Sequence, residues 1–200
     1  MPISLSKNQI VSLSKEDPYL QKIICGLGWD LGKKSGKAQL YDLDSYLICL
    51  NSSGKLSDRK NIIYFNNLVH SSGAIVHQGD NITGIGDGDD EIITVDLTKL
   101  PPEIARFVFI INIYRCIPRQ QDFSQIENAF VRLVNLNDDR ELARYNLSGQ
   151  TYQGMTGMVL AEIYRQDNEW VMEAIGKGFK ANELDEIIER LNYKDNSLFF

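Results

Sequence analysis

Short apolar runs rich in β-branched and aromatic residues, each closed off by turn residues, recur along this chain and restrict what it can fold into. Residues 106–115, RFVFIINIYR, are the most apolar of these runs, and a segment apolar on both faces belongs in the middle of a sheet. Residues 21–29, 40–50, 61–65, 74–78 and 91–97 read as further strands. Two hairpins follow: residues 129–136 and 140–147 flank Asn137, Asp138 and Asp139, and residues 155–164 and 169–175 flank the polar residues 165–168. At the N-terminus, residues 3–5 and 9–13 read as a small hairpin turning at Lys7 and Asn8, and residues 31–39 read as a polar loop. One amphipathic helix stands out near the C-terminus, where Leu184, Ile187, Ile188 and Leu191 fall at i, i+3, i+4, i+7 behind Asn182 as a cap. The expected fold class is therefore mainly β: an antiparallel β-sandwich with a C-terminal α-helix and short helical turns. It forms a single domain over residues 1–195, followed by a tail at residues 196–200.

Composition narrows the function. A 200-residue chain with 43% apolar residues can bury one substantial core. Its net charge of −6 argues against nucleic acid as a partner and against binding to bare anionic membrane. Cys25, Cys49 and Cys116 all lie in apolar, strand-like runs, and an odd, sparse cysteine count suits a reducing compartment. With no apolar leader region at the N-terminus and no stretch approaching a membrane span, cytoplasm is the expected location.

Residues 79–91, GDNITGIGDGDDE, carry the chemistry. Asp80, Asp87, Asp89, Asp90 and Glu91 place five carboxylates among four glycines, and no Lys or Arg occurs between Asn61 and Thr98. Carboxylates crowded in this way repel one another unless they share protons or bind cations. Ca²⁺ suits them best, because it takes six to eight oxygens in flexible geometry, whereas Mg²⁺ keeps its waters and Zn²⁺ prefers imidazole and thiolate. Five formal charges are nearly neutralised by two such ions and left in large excess by one. The segment is not an EF-hand: Ile82 and Gly84 occupy ligand positions, and Ile85 stands where the central glycine is needed. It is not a phosphate loop either, since no Lys follows the glycines. Upstream, Asp42 and Asp44 share a face of the run at residues 40–50 by the two-residue period of a strand.

Other chemistry is sparse. His70 and His77 make no metal set with any cysteine, and Ser71 and Ser72 beside His70 read as loop residues rather than a catalytic dyad. Trp29 and Trp170 read as core or sandwich-edge aromatics, and Lys33, Lys34 and Lys37 as a solvated loop.

GLGWD at residues 26–30, DLD at 42–44, the acidic run at 79–91 and GMVLAEIYRQDNEWVMEAIGKGF at 157–179 resemble the tellurite-resistance TerD family over nearly the whole chain. Ile85 departs from it, standing where the family often has an acidic residue. The resemblance implies a calcium-binding β-sandwich with a role in stress response, including tellurium resistance, and no established enzymatic activity. Carried over residue by residue, the implied metal ligands are Asp80, Asp87, Asp89, Asp90 and Glu91, with oxygens from Asn81, Thr83 and Gly86, and with Asp30, Asp42 and Asp44 from neighbouring strands. A module of this kind uses Ca²⁺ to organise a surface for a protein partner, such as another stress-operon product. The same ion would support calcium-dependent contact with an anionic lipid at the inner membrane face, or with a nucleotide. The alternative is a metal-dependent hydrolase built on the acidic cluster, which would need a general base, and the acidic loop contains neither His nor Lys.

Overall fold

The computed structural model describes residues 3–4, 6–30, 32–34, 37–39, 41–80, 88–146 and 152–192. In chain order the strands are β1 (Ile3–Ser4), β2 (Ile10–Ser12), β3 (Lys22–Asp30), β4 (Gly32–Lys34), β5 (Lys37–Gln39), β6 (Leu43–Leu50) and β7 (Ile62–Ile63). They continue with β8 (Ile75–His77), β9 (Glu91–Asp96), β10 (Arg106–Ile113), β11 (Glu127–Asn135), β12 (Arg140–Asn146), β13 (Gly157–Gln166) and β14 (Glu169–Phe179). The helices are α1 (Leu13–Glu16), α2 (Cys116–Arg119) and α3 (Leu184–Asn192), and none is long and apolar enough to cross a membrane.

Two six-stranded sheets face each other, one in the order β1-β12-β11-β3-β9-β8 and the other β2-β14-β13-β10-β6-β7. Neighbours run antiparallel except β1 and β12, which are parallel. The interior between the sheets is filled by Ile23, Leu27, Ile93 and Val95 from one side and Leu47, Cys49, Phe107 and Ile111 from the other. A second apolar layer lies on the far side of β6 and β10, where Ile48, Val108 and Ile110 pack against Ile187, Ile188 and Leu191 of α3. Burial on both faces explains why β6 and β10 read as nearly continuous apolar runs, whereas β9 alternates buried Glu91, Ile93 and Val95 with half-buried neighbours. The turn between β13 and β14 has Asp167 and Asn168 both at positive φ, the geometry a two-residue hairpin needs.

Three expectations are corrected. The N-terminal segments do not pair: β1 joins β12 while β2 joins β14 in the opposite sheet, so the turn at Lys7 and Asn8 carries the chain from one sheet to the other. The supposed polar loop at residues 31–39 holds the hairpin β4–β5, hidden from periodicity because its residues have no apolar alternation. Cys116 starts the helical turn α2 rather than sitting in a strand, since Arg115 takes a left-handed φ and ends β10's path, although the cysteine is buried as expected.

Candidate metal centre

Glu91 sits where the two sheets meet. It opens β9 opposite Leu27 of β3, and its side chain is buried between the layers. The edge strand β7 pairs only with Leu47 and Ile48 of β6, so Ser45 lies beyond its reach, and the Ser45 N–H donates to Glu91 Oε2 at 2.8 Å. His77, the last residue of β8, reaches the same oxygen with Nε2 at 3.6 Å and contacts Ser45 Oγ at 3.1 Å. Gly79 N–H donates to His77 Nδ1, which leaves the ring's proton on Nε2, facing Ser45 and Glu91. Glu91 Oε1, by contrast, is buried with no hydrogen-bond partner among the described residues. A buried carboxylate oxygen left in that state is costly.

Three further acids converge beside it. One carboxylate oxygen each from Asp42, Asp44 and Asp80 lie within 4.8 Å of one another. Asp42 immediately precedes β6 and is half-buried, Asp44 lies in β6 and is buried, and Asp80 is exposed. Burial pushes the Asp44 carboxyl up to about 7, and the charges of Asp42, Glu91 and Asp80 push in the same direction, opposed by the hydroxyl of Tyr46, which donates to Oδ2 at 3.1 Å. Asp42 is raised first by burial and then by Asp80, and lowered by Arg119, whose Nη1 stands 3.8 Å from Oδ2. The strand register and the hairpin between β8 and β9 thus bring together acids from opposite sheets.

Asp89 and Asp90 are held differently. Arg132 of β11 forks onto Asp89, Nε to Oδ1 at 2.7 Å and Nη2 to Oδ2 at 3.0 Å, and the Asp89 side chain is only 4% exposed. The expectation that the loop carboxylates lack a basic partner is therefore overturned for Asp89. Sequence distance hid the partner, since Arg132 lies two strands away in the chain but adjacent to β3 in the sheet. Gly26 makes the arrangement possible, because a Cβ there would overlap the Asp89 carboxylate. Asp90 clamps the end of β3: its N–H donates to the Leu27 carbonyl at 2.8 Å and its Oδ2 accepts from Trp29 N–H at 2.9 Å.

Of the acids singled out in the sequence, Asp42, Asp44 and Asp80 are brought together, Glu91 is electrostatically coupled to them, and Asp89 is turned to an arginine. Asn81, Thr83, Gly86 and Asp87, and the side chain of Asp30, lie outside the described residues. Sequence reasoning passed over Ser45 and His77, which hold Glu91, and Arg132, which holds Asp89. Only His77 carried a signal, as a polar residue on the inward parity of an apolar strand flanking the loop. His70 and Ser72 are loop residues as read, the Ser72 hydroxyl closing the turn onto Ala74 N–H.

The TerD domain family matches residues 1–191. Stress response protein SCP2 of Bacillus subtilis (strain 168) is 42% identical over 199 residues, covering 95% of this chain and 99% of that protein. Tellurium resistance protein TerD of Serratia marcescens is 41% identical over 179 residues, covering 90% and 92%. Among solved structures, a homologue of telluride resistance protein (TerD) from Streptomyces coelicolor A3(2) superposes with a TM-score of 0.64 at 22% identity, covering 81% of this chain and 92% of that one, and so shares the fold.

Proposed function

Because the chain belongs to the TerD family, we propose that it is a calcium-binding stress-response module of the tellurium-resistance type, acting in the cytoplasm. The observation that carries the reading is the convergence of Asp42, Asp44 and Asp80 within 4.8 Å, beside a buried Glu91 with one oxygen unpartnered among the described residues. Oxygens on opposite sides of an ion coordinated at about 2.4 Å stand about 4.8 Å apart, so carboxylate oxygens no farther apart than that are close enough to share one Ca²⁺. An all-oxygen donor set, with no thiolate or imidazole in the group among the described residues, disfavours zinc. Asp42, Asp44, Asp80 and Glu91 would hold the first ion. A second is expected from the remaining charge of the acidic loop.

A bound divalent cation would supply charge neutralisation among these acids. The chain's own residues prepare the place: Ser45 N–H and His77 orient Glu91, Tyr46 orients Asp44, and Asp90 fixes the end of β3. The ordered loop would then present a surface to a protein partner of the same stress response. A binding role is favoured over hydrolysis because His77, the one imidazole near the acids among the described residues, is 2% exposed with both ring nitrogens engaged inside the fold.

Calorimetry on chelator-treated protein tests the reading. Two Ca²⁺ per chain are expected, with one ion correcting only the stoichiometry and none ending the proposal. A phosphoester screen in Ca²⁺, Mg²⁺ and Mn²⁺ is expected to give no turnover, and pull-downs with and without Ca²⁺ to give an ion-dependent protein partner. Calcium-dependent co-sedimentation with anionic vesicles, or nucleotide binding, would redirect the search to a phosphate-bearing partner.

A further inference from the structure

On the outer face of β6 and β10, beyond the N-terminal end of α3, lies a cavity of about 240 Å³. Along this face the apolar pairs Ile48–Val108 and Tyr46–Ile110 lie under or beside the helix, but the next cross-strand pair is Asp44 opposite Asn112, and both residues line the cavity. Asn112 is 1% exposed, its amide Nδ2 donates to the Ile113 carbonyl at 3.0 Å, and its Oδ1 is buried with no partner among the described residues. A buried amide oxygen in that position calls for a hydrogen-bond donor from outside the chain.

The remaining walls say what kind. Tyr46 and Tyr64 stack at 5.9 Å between centroids, and Phe65 meets Tyr64 edge-on at 5.3 Å, forming an aromatic wall. Glu183 and Asp185 from the start of α3 join Asp44 in the lining, against one cation, Arg59, which is already paired with Asp185. Arg115 and Arg119 engage the ring of Tyr114 on the cavity's flank. The carboxylates of Asp44 and Glu183, with no ion-pair partner among the described residues, an unmet acceptor and π faces together select a positively charged group bearing N–H donors. The volume is below that of ordinary drug-sized sites, so the group is small.

We propose that this cavity binds a guanidinium or primary ammonium group on a short aliphatic stem, its N–H donors meeting Asn112 Oδ1 and the Asp44 and Glu183 carboxylates, its charge against the Tyr46–Tyr64–Phe65 wall. Such a group reaches the site either as a free small molecule or as an arginine side chain of a protein partner. The cavity shares the Asp44 carboxylate with the proposed calcium site but does not require the ion, and since the two cations would compete for that carboxylate it is tested with calcium removed.

Agmatine and the peptide acetyl-Gly-Arg-Gly-amide are the probes for the two sources, 1,5-pentanediol is the neutral control, and titrations are run by calorimetry in chelator. Binding of either cation with a millimolar or lower Kd is expected, with the diol silent. Agmatine binding alone identifies a free metabolite, and tighter binding of the peptide identifies a partner's arginine. Asn112→Leu should weaken the bound probe by about tenfold, one hydrogen bond's share of affinity. Tyr64→Ser, at the half-buried rim, provides the same readout should Asn112→Leu fail to fold. No cation binding, equal binding by the diol, or unchanged affinity in both variants would overturn the proposal.

Discussion

Asp89 and Glu91, two positions apart in one acidic run, meet opposite fates. Asp89 is covered by Gly26 and neutralised by the fork of Arg132, which itself joins Glu141 and Arg144 in an ion-pair network on the outer side of its sheet. Glu91 points between the sheets, accepts the Ser45 N–H on one oxygen with His77 Nε2 3.6 Å away, has no hydrogen-bond partner on the other among the described residues, and shares its surroundings with Asp42, Asp44 and Asp80. The first acid is satisfied by the chain itself; the second leaves a deficit that an external cation can fill. An acidic motif is thus two devices, an anchor that fastens the loop to the sheet and a set of donors that remains open.

The largest expected effect falls on the anchor. Arg132→Leu leaves a nearly buried carboxylate unpaired and should cost about 3 kcal/mol of stability, while Arg132→Leu with Asp89→Leu should recover most of it. Chemical denaturation reads both, and a cost for the single variant below about 1 kcal/mol would return Asp89 to the ion-facing acids.

Next comes the open set. Saturating Ca²⁺ at ~100 times its dissociation constant should stabilise the wild type by about 2.7 kcal/mol, and Asp44→Asn should remove that gain while leaving the chelated protein at least as stable as before. The pH dependence sharpens this. The folded-state pKa of Asp44 is pushed up to about 7 from an ordinary value of 3.8, so between those values the unfolded chain has already released a proton that the folded one keeps. Stability without Ca²⁺ should fall as pH rises from about 4 to about 7 and level off above, and Ca²⁺ affinity should weaken as pH drops through 7. Melting curves across that range in chelator and in Ca²⁺ check both slopes. A flat chelator profile would mean that Asp44 is not held among unneutralised acids.

Gly26→Ala tests the anchor from the side of the strand. Its added methyl group would collide with the Asp89 carboxylate, and about 2 kcal/mol of lost stability is expected by denaturation, with Ca²⁺ affinity reduced only through loosening of the loop. The smallest effect is His77→Gln, which alters the orientation of Glu91 without removing a donor and should lower Ca²⁺ affinity roughly tenfold by calorimetry. A larger loss than that of Asp44→Asn would place the imidazole itself in the site.

The strands, the hairpins at residues 137–139 and 165–168 and the C-terminal helix were legible because period and turn chemistry are local: β9 alternates, β10 is apolar throughout, and α3 shows its stripe at helical spacing. The excess of acid in residues 79–91 was equally plain, as was its family. What no local signal carried was sheet membership, and with it the partner of each charge. The N-terminal turn sends β1 and β2 to opposite sheets, and pairing of β11 with β3 sets Arg132 beside Gly26 and so over Asp89. Convergence of Asp44 in β6, and Asp42 just before it, on Asp80 between β8 and β9 crosses between the two layers of the sandwich. Composition determines how much charge a segment holds; which charges remain unsatisfied is decided by long-range pairing, because neutralisation depends on distances of a few ångströms that only the packed sheets set.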